Sequence, residues 1–337
     1  MSQRKDLVLK EQLSLTALAA KVPAAHRGTA AFILVMLGSL GIQSSTALVS
    51  ELFDQFSPMA VAGLRMGCAA IILLIFVRPN PAALKKYDWP QVLIYGFVVV
   101  LMTLGYFNAV KYIPLGIAVT IEYLGAFVIS LVGIRRWQDS LLSLGALLGV
   151  ILITGPTIES HQLQGYLWAA LSACCMAGYT FLSARMVGGS PALAGLKGLT
   201  LSVTLAAILL LPWSLPAAGA VDSSGWLRIF AAGTLGVALA YSADAIAGKL
   251  TSAAVIGVLF SLDPVNGALI GILMMGQLLP WPAYLGIVLI TVSGAVLVWK
   301  TNRSAISISS HTAMLQVLAN PATGQQRQLG HKKTRDT

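Results

Sequence analysis

The stretch SPMAVAGLRMGCAAIILLIFV, Ser57 to Val77, decides the fold. It opens on Ser-Pro, a helix-starting pair, and then runs apolar or small on every side. A helix with no polar face is built for lipid or for the centre of a large bundle. Its length matches the roughly 20 residues that cross a bilayer. Its one charged residue is Arg65. Part of it returns later: Ala60-Val61-Ala62-Gly63-Leu64-Arg65 is echoed by Ala192-Leu193-Ala194-Gly195-Leu196-Lys197, and Ser190-Pro191 again precedes the copy.

Outward from this stretch, further apolar runs lie near 29–50, 57–77, 91–110, 113–133, 140–155, 164–184, 194–214, 225–247, 250–275 and 280–299. Short connections with turn residues separate them, such as Arg78-Pro79-Asn80-Pro81. The composition agrees. Only 10% of the 337 residues are Asp, Glu, Lys or Arg, against roughly a quarter in soluble domains, and 57% are hydrophobic. The expected fold is therefore an all-α membrane protein of ten transmembrane helices. Five spans separate the two copies of the motif, and an odd number reverses direction. The helices thus read as two inverted five-helix repeats, the architecture of secondary transporters. The repeats take residues 29–155 and 164–299. They are flanked by a polar N-terminal tail, 1–28, and a Ser-, Gln- and Lys/Arg-containing tail, 300–337, expected to be disordered. No cleavable leader is expected, since the first apolar run is long enough to span.

The formal charge of +10 resembles a nucleic-acid signal until its positions are read. With ten spans, one side collects both tails, Arg78, Lys85, Lys86, Arg135, Arg136, Arg185 and Lys249, while the other holds Lys111 and Arg228. That bias places both termini in the cytoplasm and removes nucleic acid as the partner. Cys68, Cys174 and Cys175 lie in apolar runs and read as small packing residues.

Charge within a span costs about 2.5–3.5 kcal/mol on insertion scales, so each instance needs a partner, a cavity or a task. Arg65 is flanked by Gly63 and Gly67, which would let a neighbouring helix approach it closely, and is a fork for a carboxylate of the protein or of a substrate. Glu122, mid-way along the fourth run, can meet a substrate ammonium, carry a coupling proton, or simply pair with Arg65. Asp263-Pro264, followed by Asn266, falls in the middle of the ninth run, where proline removes a donor and breaks or kinks the helix. Asp244, in Tyr241-Ser242-Ala243-Asp244, can reach the interface or pair with Lys249. Tyr106, Asn108, Tyr123 and Tyr241 are candidates to line the same cavity, with packing as the alternative. The histidines lie outside the runs, and neither a Cys/His cluster nor a phosphate-binding loop is present. No metal, cofactor, ATP hydrolysis or catalytic residue is expected.

At these residues the chain resembles the EamA-type members of the drug/metabolite transporter superfamily, and most of all bacterial inner-membrane exporters of threonine and homoserine. The likeness is carried by Gly63-Leu64-Arg65-Met66 through Arg78-Pro79, Ile113-Pro114-Leu115-Gly116-Ile117-Ala118-Val119-Thr120-Ile121-Glu122, Leu239-Ala240-Tyr241-Ser242-Ala243-Asp244 and Ser261-Leu262-Asp263-Pro264. Four positions depart from that pattern: Asp263, Asp244 and Gln277 where those proteins tend to carry Glu, and Ala126 where they tend to carry Pro. The resemblance implies export of a small metabolite, such as an amino acid, across the inner membrane by alternating access, coupled to protons. A drug or other metabolite is the alternative cargo, and a non-transporting membrane scaffold the alternative class. A homodimer is compatible with the sequence.

Overall fold

The computed structural model describes residues 22–23, 26–80, 84, 89–132, 145, 148–153, 160–187, 196–251, 256 and 259–296. Most of the N-terminal tail, the C-terminal tail, most of the fifth apolar run and the second copy of the motif up to Gly195 lie outside the described residues. Within them the chain is helical and holds no strand. The helices are α1 (Arg27–Ser50), α2 (Pro58–Val77), α3 (Trp89–Tyr112), α4 (Leu115–Val132), α5 (Ser160–Val187), α6 (Leu196–Ala218), α7 (Ser223–Leu250), α8 (Asp263–Met275) and α9 (Trp281–Val296). Residue 145 and residues 148–153 of the fifth run are also helical.

Local chemistry sets the ends. Ser57 accepts from the Ala60 N–H at 3.2 Å and Pro58 opens α2, where a missing donor is harmless. Asp222 caps α7 by accepting from the Gly225 N–H at 2.8 Å. The break expected at Asp263-Pro264 is present: residues 259–260 are helical, 261–262 form a turn, and α8 starts at Asp263 with Pro264 in its first turn. Gly276 closes α8 at φ +63°, a conformation that favours glycine. Inside α7, residues Thr234–Leu239 form a π-helical turn, so one helix of 28 residues carries a widened middle.

Among the described residues, five helical stretches are long and apolar enough to cross a membrane: Arg27–Asp54, Pro58–Val77, Trp89–Tyr112, Leu196–Ala218 and Ser223–Leu250. Leu115–Gly125, Asp263–Met275 and Trp281–Val296 are shorter and apolar. The outward faces are apolar as well, with Phe76, Leu227, Leu273, Leu278 and Trp281 largely exposed. In water such a surface would aggregate; in lipid it is solvated.

Packing couples the two halves. Within each pair below the helices run antiparallel. Gly63 of α2 faces Leu210 and Ser214 of α6, while Ala70 and Leu73 further along meet Val203 and Ala207. In α4, Gly116 faces Ala268 of α8 and Val119 faces Gly267. Residues 149 and 153 meet α9 at Ile290 and Gly286. Each of these pairs joins one apolar run of the sequence to the fifth run after it. Other seams recur between the halves: α3 packs on α5 as α7 packs on α1, and α4 packs on α5 as α8 packs on α1. Glycine makes these approaches close. A Cβ on Gly116 would lie 2.7 Å from the Ala268 Cα, nearer than side-chain atoms pack.

Candidate functional site

Where α1, α2, α3, α4, α7 and α8 converge, the interior is polar. Arg65 is 4% exposed. Its Cζ stands 5.1 Å from the centroid of the Phe107 ring, so the aromatic face covers one side of the guanidinium. Its Nη2 donates to the Gly236 carbonyl at 3.5 Å, a long and weak bond. Its Nε has no partner. The sequence suggested that Gly63 and Gly67 open the way to this side chain. Instead Gly63 packs on α6 and Gly67 has nothing within 4 Å. The close approach comes from α7: a Cβ on Gly233 would lie 2.8 Å from the Arg65 carbonyl oxygen, and one on Gly236 would lie 2.9 Å from Nη2.

Among the described residues Arg65 makes no ion pair. Arg228, by contrast, is paired with Glu51 at an exposed edge. Glu122, also buried, instead accepts from the Ser172 hydroxyl at 2.6 Å, and Ser172 is further held against the Met102 carbonyl at 2.9 Å. The sequence alternative of an Arg65–Glu122 bridge is therefore not formed. Asp263, buried at the start of α8, accepts from the Tyr123 hydroxyl through Oδ2, while its Oδ1 has no partner. Asp244 does not pair with Lys249. It packs against Gly38 of α1, where a Cβ would lie 3.0 Å from Oδ1, and that oxygen is buried without a partner. Tyr241 lies within electrostatic reach of Arg65, Asp244 and Glu122.

Asn108 is the sequence candidate that the structure sets apart. Its amide donates to the Leu104 carbonyl of its own helix at 2.8 Å. At about 100° per residue it also lies on the opposite side of α3 from Tyr106. Tyr106 itself reaches Gln43 of α1 at 2.8 Å and lies within electrostatic reach of Glu122, Arg65 and Asp263.

The EamA-like transporter family matches residues 29–158 and 163–299, which is most of the chain in two copies. The chain belongs to the EamA-like transporter family. It is similar to the threonine/homoserine exporter RhtA of Salmonella typhimurium (strain LT2), 28% identical over 254 residues, covering 73% of this chain and 84% of that one. The RhtA exporter of Escherichia coli (strain K12) is 27% identical over 252 residues, with the same coverage. A solved structure, titled only as the crystal structure of a protein, shares the fold. Its TM-score is 0.53 at 19% identity, over 82% of this chain and 98% of that chain.

For this EamA-like transporter, the residues that sequence reasoning missed lie on α1. Ser39, Gln43 and Thr46 are spaced i, i+4, i+7, are all buried, and form one polar stripe. Ser39 accepts from the Asn266 amide at 2.8 Å and Gln43 from Tyr106. Their spacing was the available signal. Being uncharged, they carried too small an insertion penalty to stand out beside Arg65 and Glu122. Gln277 was noted only as a departure, yet its Oε1 accepts from the Leu115 N–H at 2.9 Å and so ties the start of α4 to the end of α8.

Proposed function

We propose that this protein exports a small zwitterionic metabolite, an amino acid such as threonine or homoserine, by alternating access coupled to protons. Its ten spans would form two inverted five-helix halves in the inner membrane, with both termini in the cytoplasm. The antiparallel packing of α2 on α6, of α4 on α8 and of residues 149–153 on α9 supports the inversion. The excess of Lys and Arg on one side supports the orientation.

One observation carries the cargo reading: Arg65 is buried, retains an unpartnered Nε, and pairs with no carboxylate among the described residues. A desolvated guanidinium is strongly destabilising unless something compensates it. A substrate carboxylate supplies that compensation while it is bound, and a transporter needs the compensation to be transient. Glu122, anchored by Ser172 and without a cationic partner among the described residues, suits the substrate ammonium or the coupling proton. The similarity to RhtA exporters is consistent with this cargo. The test is the metabolite profile of medium from cells with and without the protein, repeated with Glu122→Gln. Threonine or homoserine should accumulate outside only with the wild type. Equal extracellular levels with and without the protein would exclude this cargo.

A cationic cargo is the second reading, favoured by the surplus of buried carboxylates, Glu122 and Asp263, over buried cations. Such a carrier would keep its activity when Arg65 is replaced.

A further inference from the structure

We infer that Asp263 carries the coupling proton, and that this proton and the cargo ammonium at Glu122 oppose one another's binding. Asp263 is 4% exposed and starts α8, where the ninth apolar run breaks. Its Oδ2 accepts from the Tyr123 hydroxyl, and its Oδ1 is buried without a partner. The helices packed on α8 are α4 and α1. From α4 come Tyr123 and, within electrostatic reach, Glu122. From α1 comes the uncharged Ser39, and Tyr106 of α3 lies within electrostatic reach. Among the described residues no cation pairs with Asp263. The ionised carboxyl is therefore held by one hydroxyl and the first turn of α8, with nothing at its second oxygen. Taking up a proton removes that charge, and buried carboxyls serve as proton relays in transporters.

The packing favours a proton over a larger cation. A Cβ on Gly267 would lie 2.9 Å from the Val119 Cγ2, and one on Gly116 2.7 Å from the Ala268 Cα. Ser39, beside the carboxyl, is already engaged by the Asn266 amide at 2.8 Å. A substrate ammonium needs room between these helices, and a proton needs none. Glu122 precedes Tyr123 in α4, so the two carboxyls sense each other's charge. Protonating Asp263 withdraws one of the two negative charges that attract an ammonium. By linkage, a bound ammonium weakens proton binding by the same factor. That opposition turns proton entry and cargo exit into one exchange. The inference rests on the reading of the protein as a proton-coupled amino-acid exporter, and it divides two carboxyls between two tasks.

The test uses purified full-length protein. In weakly buffered detergent, L-threonine added to the wild type should release protons. In proteoliposomes, an acidic lumen should drive accumulation of labelled L-threonine. The half-saturation concentration should rise on acidification, by up to about ten-fold per pH unit for one competing proton. Asp263→Asn should lose the proton release, the pH slope and the accumulation. Its threonine counterflow, which needs no net proton movement, should persist at a reduced rate. Asp263→Glu, which still titrates, should recover what Asp263→Asn loses. Where Asp263→Asn does not reconstitute or exchange, Tyr123→Phe decides: a displaced pH slope supports the inference, and the wild-type slope overturns it. Proton release or gradient-driven accumulation by Asp263→Asn would overturn the role of Asp263 and leave the export reading standing. Counterflow by the wild type without proton release or accumulation would overturn proton coupling and this inference together. No threonine counterflow by the wild type would overturn the cargo reading as well.

Discussion

Arg228 and Arg65 carry the same side chain and meet opposite conditions. Arg228 sits near the start of α7 at an exposed edge and is paired with Glu51, just beyond α1. Arg65 lies deep between α2 and α7 and is paired with no carboxylate among the described residues. A fold that merely needed stability would do the reverse. Water screens the edge, where an ion pair contributes about 0–1 kcal/mol, while an uncompensated charge in the interior is expensive. The difference teaches where to look for function: the costly, unfinished contact is the one we propose a ligand completes.

The comparison breaks most easily at Arg65. Arg65→Ala should reduce amino-acid efflux about a hundred-fold or more, as befits the loss of a buried charge pair with the cargo. Efflux assays normalised to membrane-inserted protein will show it, and a change of less than about three-fold would place Arg65 outside the site. A buried but uncharged seam provides the next contrast. Gly116→Val pushes a side chain into the α8 backbone at Ala268 and should destabilise the fold by about 1–3 kcal/mol. It should appear as a lower thermal midpoint in detergent. An unchanged midpoint would mean that α4 and α8 do not rely on this approach.

At the edge the effects should shrink. Arg228→Gln should lower stability by no more than about 1 kcal/mol and leave efflux at the wild-type level, and added salt should erase even that. Asp222 gives the smallest effect and a pH signature. The Gly225 N–H, and then the Ser224 hydroxyl, hold its carboxyl below the usual carboxylate range. A lowered folded-state value means that the stabilising contribution is present at neutral pH and fades as pH falls through that value. Asp222→Ala should therefore lower the midpoint slightly at about pH 7, with the gap to wild type closing on acidification. A gap that widens in acid would contradict the cap.

Much of this was legible in the sequence because the bilayer makes charge and length expensive to get wrong. Arg65, Glu122 and Asp263 stood out against apolar runs, and all three are buried toward one polar interior. The repeat at Ala60–Arg65 and Ala192–Lys197 pointed to two related halves, and the family match falls on residues 29–158 and 163–299 as two copies. What escaped was whatever depends on how one helix meets another. Gly63 and Gly67 looked like the cradle of Arg65, but the cradle is Gly233 and Gly236, on a helix far away in sequence. Nothing in Thr234-Leu235-Gly236-Val237-Ala238-Leu239 announces a π-turn, since its composition suits an α-helix equally well. For Asp244 the sequence left the interface and Lys249 as alternatives, and the structure packs it on Gly38 across the α1–α7 seam.

The central claim is that the Arg65 charge serves the cargo and not the fold, and one pair of readings on a single variant tests it. Arg65→Met should abolish threonine efflux while leaving the thermal midpoint of the purified, cargo-free protein unchanged or raised, because an unpaired buried charge has been replaced by an apolar side chain. A midpoint that drops sharply, with efflux per folded molecule intact, would show that Arg65 is a structural residue and would contradict the account.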